Sequence, residues 1–248
     1  MEAPPDDSAG RREWLERWVA EQGLVDPRPP ARLTRWGKLA SAVRNRRRIA
    51  RAVQWLGDRV LGRGLDTAKI VREPVHEHPD RVGYVASPWH VLPRALHYLG
   101  VSDRDTFVEF GCGKGRVVHQ AARRPFRRVI GVEISPALAE IARANLAARS
   151  HQHRCRDVEI VVSDATQFQV PDDLTIAYLY NPFSYETLDT VLRGIVRSID
   201  RNPRRVQLIY VAAPQDGSPV LATGRFRLLK EQRSRFLDAC STAIYEIR

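Results

Sequence analysis

The run Glu109-Phe110-Gly111-Cys112-Gly113-Lys114-Gly115-Arg116 is a G-x-G-x-G turn with an acid two positions before its first glycine. Glycines in such a turn remove the Cβ atoms that would hold a ligand off the backbone, and they permit the sharp reversal between a strand and a helix. The dinucleotide spacing G-x-G-x-x-G is absent because Arg116 takes its last position, so no pyrophosphate is called for at the helix N-terminus. Glu109 suits a cationic group on the ligand. Glu133, within Gly131-Val132-Glu133-Ile134, places a carboxylate where a ribose diol can donate two hydrogen bonds and a 2′-phosphate would be repelled. In Ser163-Asp164-Ala165, the aspartate can accept from an adenine amino group while the Ala165 N–H reaches a ring nitrogen; a plain cap is the alternative use of Asp164. Tyr180-Asn181-Pro182-Phe183 offers the Asn181 carbonyl and a proline-fixed backbone carbonyl as acceptors that orient an amine. Phe183 packs on a substrate or its cation in that reading, and in the other it is a core residue after a strand-ending turn.

These groups need a scaffold that brings distant turns together. From Thr106 onward short β-rich runs alternate with helical stretches, the pattern of a parallel sheet with crossover helices. Strands are expected at 106–110, 128–132, 158–162, 175–180 and 206–211, with helices at 115–123, from the Ser135-Pro136 cap to Ala148, and at 185–199. Proline suits the first helical position. Segments 226–232 and 242–247 read as two closing strands, and the short connection between them permits antiparallel pairing, whereas a parallel crossover needs a dozen or more residues. Each chemical element above therefore falls at the end of a strand, in chain order.

The chain has 248 residues, 43% of them hydrophobic, which suits one α/β domain plus an extension. No apolar run is long enough to span a membrane, and the acidic, proline-rich start Met1-Glu2-Ala3-Pro4-Pro5-Asp6-Asp7 lacks the character of a signal peptide. The expectation is a cytoplasmic protein. Cys112, Cys155 and Cys240 are odd in number and lack metal-ligand spacing, which argues against a disulfide framework or zinc site; no metal is expected. Net charge is +11, carried almost wholly by arginine, with lysine only at 38, 69, 114 and 230. A GC-rich genome produces that bias without any ligand. Residues 1–80 form a basic extension: a disordered tail over 1–10, a short amphipathic helix over 11–22, a break at Asp26-Pro27-Arg28-Pro29-Pro30, and a helical region over 31–61. Asp58 is the only acid between Arg28 and Arg63. This region is read as a helical cap with its arginines in solvent, or as a surface for an acidic partner. Lys114 and Arg116 are expected in solvent on a first helical turn, the alternative being contact with acidic groups. Glu186 and Asp189 could lower the pKa of an acceptor amine or be exposed helix charges, His90 and His119 are weak candidates for a base, since a lone histidine is more often structural, and no general base is assigned.

The run from Asp105 to Ala147, with Gly111 to Arg116, Gly131-Val132-Glu133 and Ser163-Asp164-Ala165, resembles class I S-adenosylmethionine-dependent methyltransferases. The Gly-Lys-Gly-Arg turn, Pro125-Phe126, Gly131-Val132-Glu133-Ile134-Ser135 and Tyr180-Asn181-Pro182-Phe183 resemble, more narrowly, bacterial methyltransferases of undefined substrate. The resemblance implies an α/β, Rossmann-like seven-stranded sheet with the last strand antiparallel, occupying residues 81–248. It implies S-adenosyl-L-methionine as cofactor, bound by Tyr84, Glu109, Gly111, Cys112, Gly113, Gly115, Glu133, Ile134, Asp164, Ala165 and Asn181, with Asn181, Pro182 and Phe183 at the reacting end. A more distant likeness, to the seven-strand, non-SET histone lysine methyltransferases, implies that Tyr84 and Ser87-Pro88-Trp89-His90 close over the methionyl end. The amino-methylating DNA enzymes carry two prolines where this chain has only Pro182, so base methylation is disfavoured. An amine of a protein or small molecule is the expected acceptor. A nucleic-acid-binding methyltransferase using the basic region and a non-catalytic cofactor-binding module are the alternatives.

Overall fold

A strand buried at every position lies inside a sheet that is covered on both faces, and Thr106–Phe110 is such a strand. The computed structural model describes Leu65 and residues 86–180, 183–212, 223–232 and 241–248. In chain order the elements are α1 (Val91–Leu99), β1 (Thr106–Phe110), α2 (Arg116–Ala122), β2 (Arg128–Glu133), α3 (Pro136–Ala148), a 3-10 turn at Ser150–Gln152, β3 (Asp157–Val162), β4 (Leu174–Tyr180), α4 (Tyr185–Arg201), β5 (Val206–Val211), β6 (Phe226–Gln232) and β7 (Thr242–Ile247). The seven strands form one sheet in the order β3-β2-β1-β4-β5-β7-β6. Pairing is parallel from β3 through β5, and β7 runs antiparallel to both β5 and β6.

Strand alternation sorts the core into two layers. Phe107 joins Val129, Tyr178, Ile209 and Ile244 on the face covered by α1, α2 and α3, where Leu92, Val117 and Ala142 pack. Val108 and Phe110 point the other way, joining Ile130, Leu179 and Leu208 under Leu188, Val191, Leu192 and Ile195 of α4. Helix starts are set by their caps. Ser135 accepts from the Leu138 N–H with Pro136 at the first helical position, and Ser184 accepts from the Thr187 N–H. Strand order reverses beside β1, since β3 ends at one edge and the chain returns to lay β4 on β1's other side. In open α/β sheets the crevice at the carboxyl ends beside such a reversal is where ligands bind.

α1 was not expected. Its Pro93 falls in the first turn, where its missing N–H costs nothing. Tyr84, Asn181, Pro182, Cys240 and the expected N-terminal helices and tail lie outside the described residues. Among the described residues no helix is long and apolar enough to cross a membrane.

Candidate active site

The glycine turn leaves β1 and is stitched to the tip of β2: the Gly111 and Cys112 N–H groups both donate to the Val132 carbonyl at 2.9 Å. Gly113 and Gly115 have φ of 53° and 76°, a left-handed conformation that side chains with a Cβ rarely adopt. At Gly115 an added Cβ would also meet the Ala142 Cβ at 3.1 Å, so α3 packs directly on the turn. Asn145 of α3 fixes that contact by donating to the Lys114 carbonyl at 3.0 Å.

Glu133 is the hub. Its Oε2 accepts from the Gly113 N–H at 2.7 Å and its Oε1 from the Ser135 N–H at 2.9 Å. These two bonds from backbone amides fix the orientation of the carboxylate. Its backbone carbonyl accepts from the Ser163 N–H at 3.0 Å. The turns after β1, β2 and β3 are thus joined through one residue. Ile134, next to it, leaves 41% of its surface exposed; an apolar side chain open to solvent is suited to one face of an aromatic ring. Asp164 folds its own turn: Oδ1 accepts from the Thr166 N–H at 2.8 Å and hydroxyl at 2.7 Å. Among the described residues none donates a hydrogen bond to Oδ2. Ala165 and Phe183, both partly buried, pack against the α4-side core.

Glu109 lies behind the turn. It is buried, and its Oε2 accepts from the Val118 N–H at 3.1 Å, capping α2. Burial pushes its carboxyl well above the ordinary range, with Glu133 adding to the rise against the opposing Val118 bond. Burial, then Glu109 and Glu133, likewise raise the Cys112 thiol, so that sulfur stays protonated. These two residues shape the turn from beneath.

The solvent-exposed reading of Lys114 and Arg116 is overturned. Lys114 is 0% and Arg116 3% exposed, because α3 covers the turn and the segment before α1 lies against α2. Arg116 donates from Nη1 to the Ser87 carbonyl at 3.0 Å, and its guanidinium sits 5.1 Å from the Trp89 ring centroid. Ser87 also bonds, through its hydroxyl, to the hydroxyl of Tyr178 on β4. Sequence reasoning missed these ties. The apolar spacing Val91, Leu92, Ala95, Leu96 was the available sign that a helix anchors this segment. His119 and His153 pair away from the glycine turn, Glu186 is exposed, and Asp189 pairs with Arg193 at 2.6 Å on the α4 surface. Among the described residues no group of three or more His, Cys, Asp or Glu is placed to hold a metal ion.

Residues 107–202 match a family model described as a methyltransferase domain. A curated relative, a protein-lysine N-methyltransferase of Saccharolobus islandicus (strain REY15A), is 33% identical over 91 residues, covering 34% of this chain and 56% of that protein. The chain thus spans little more than half the length of that relative. Among solved structures, an RNA methyltransferase from Salinibacter ruber in complex with S-adenosyl-L-homocysteine is similar with a TM-score of 0.50 at 22% identity, covering 66% of this chain and 94% of that one. The PH0226 protein from Pyrococcus horikoshii OT3 is similar with a TM-score of 0.51 at 16% identity, covering 64% of this chain and 89% of that one. At these identities the structures speak for the fold.

Proposed function

We propose, from the premise that residues 107–202 carry a methyltransferase domain on a class I sheet, that this chain is an S-adenosylmethionine-dependent methyltransferase acting on an amine of a protein or small molecule. The observation that carries the proposal is the Glu133 hub: one side chain, held by the Gly113 and Ser135 amides, at the meeting point of three strand-end turns. The residues fit an adenosyl group. Glu133 binds the ribose diol, Ile134 covers an adenine face, Asp164 accepts from the adenine amino group and the Ala165 N–H reaches the ring. Backbone at the Gly111–Gly115 turn takes the close approach. When bound, the cofactor supplies a methyl group already activated on its sulfonium sulfur.

The chain's remaining work is alignment. Asn181 and the backbone at Pro182 orient the acceptor amine through their carbonyls, with Phe183 beside them. The amine must be neutral to offer a lone pair, and a partly desolvated site favours that form. The similarity to a protein-lysine methyltransferase supports an amine acceptor. Glu133→Ala is expected to weaken binding of S-adenosylhomocysteine about tenfold or more, since hydrogen bonds to a charged group contribute roughly 1.5–3 kcal/mol. Calorimetry on the two proteins checks this, and equal affinities would remove Glu133 from the site. Incubation with methyl-labelled cofactor and fractionated lysate then reads the acceptor: label in protein or in small amines supports the proposal, and label confined to nucleic acid overturns the acceptor class. Absence of S-adenosylhomocysteine formation with every fraction would leave a cofactor-binding module instead.

A further inference from the structure

A guanidinium buried to 3% exposure needs partners worth more than the hydration it gives up. Arg116 directs one N–H at the Ser87 carbonyl and its flat face at Trp89, two contacts that fall on the segment just before α1. The same segment is tied a third way, by the Ser87 hydroxyl on Tyr178. Tyr178 pairs in register with Glu109 across β1 and β4, and Arg116 directly follows the glycine turn. The Ser87–Trp89 segment is therefore fixed at the β1–β4 side of the crevice, while Glu133 and Asp164 stand at the β2 and β3 tips.

We propose that Arg116 is a positioning residue: it latches the Ser87–Trp89 strap beside the non-adenosyl half of the cofactor pocket, and so governs recognition of the methionyl end without touching the adenosine. The inference rests on the cofactor reading above. A cofactor whose ribose meets Glu133 and whose adenine extends toward β3 directs its other end toward β1 and β4, where the strap is. Arginine is suited to this latch because a planar fork donates in its plane and stacks through its face at once; an ammonium does not combine the two in one geometry.

The latch predicts a split between ligands that differ only in their tails. Arg116→Lys retains the charge but loses the stacked fork. It is expected to weaken S-adenosylhomocysteine about tenfold, the scale of one charged hydrogen bond, and to leave adenosine within about twofold, both measured by calorimetry on the full chain. Trp89→Phe, with a weaker cation-binding face, should shift the two ligands in the same unequal way and carries the comparison if the Arg116 variant does not fold. Equal weakening of both ligands would mean general damage to the domain and overturn the latch, as would no change in either. Wild-type protein that binds neither ligand would overturn the cofactor reading itself, a result distinguishable from both.

Discussion

His119 on α2 faces His153, just before β3, its Nδ1 3.1 Å from the His153 Nε2. His119 is 1% exposed, and its pKa falls from the ordinary 6.5 to about 4, through burial first and then His153, Arg123 and Arg149. Burial lowers His153 in the same direction. The sign of the consequence is fixed by which state takes the proton. As pH drops from 6.5 toward 4 the unfolded chain protonates this ring and the folded chain does not, so stability is full above the unfolded value and is lost on acidification. Between pH 7.5 and 5 the ring should cost about 2 kcal/mol. Urea unfolding at the two pH values, compared between wild type and His119→Gln, isolates it from the carboxylates. The variant should lose less stability over that interval, and parallel losses would show that His119 does not stay neutral. The same residue-scale physics separates the two acids at the site. Glu133 takes the Gly113 and Ser135 amides and Glu109 takes the Val118 amide of α2, a division of partners with no local mark in the sequence, since both acids stand at the carboxyl end of a strand.

α4 holds its face of the sheet through Leu188, Val191, Leu192, Ile195 and Ile199, spaced three or four apart with one adjacent pair. Ile195 is 0% exposed; Ile195→Ala should destabilise the domain by about 2–5 kcal/mol, the range for such buried truncations. Arg193→Ala, which removes only the exposed Asp189 pair, should leave the denaturation midpoint nearly unchanged. Comparable shifts in both would contradict the placement of α4 on the core. Elements of this kind were legible in advance. Strands 106–110, 206–211, 226–232 and 242–247 form over the residues expected, and Ser135-Pro136 starts α3 as its capping chemistry requires. The antiparallel seating of β7 followed from the short connection after β6. The order of strands across the sheet, by contrast, is set by crossovers that leave no local mark. α1 carries Pro93 where a helix tolerates it, in its first turn, and the burial of Lys114 and Arg116 depends on α3 and the strap closing over the turn from afar. The Gly113–Glu133–Ser163 connection was legible as three separate strand-end signals; that one carboxylate and its own carbonyl join them was not.

At the scale of the whole molecule the positive charge is segregated. Residues 28–63 hold eleven Arg and Lys against Asp58, so they account for ten of the eleven net charges, and the rest of the chain has 29 cations against 28 acids. Arginine bias alone does not produce that division. Within the described domain several arginines pair with acids: Arg128 with Glu159 at 2.8 Å, Arg201 with Asp172 at 2.6 Å, Arg225 with Asp200 at 2.9 Å, and Arg205, Arg227 and Arg248 all around Glu246. Pairs at the surface contribute little to stability, but they cancel the field a polyanion would feel. Any polyanion taken up by this chain is therefore predicted to dock on residues 28–63, and its binding should weaken with salt in proportion to the phosphates neutralised. Replacing Arg46, Arg47 and Arg48 together with Gln should reduce the slope of log affinity against log salt for a short single-stranded oligonucleotide by about 2–3, read by fluorescence anisotropy. Because those positions lie far in sequence from Gly113, Glu133 and Asp164, the affinity for S-adenosylhomocysteine should stay within about twofold. An unchanged salt slope would put polyanion binding on the paired arginines of the domain, and a joint loss of both affinities would tie the basic segment to the cofactor pocket.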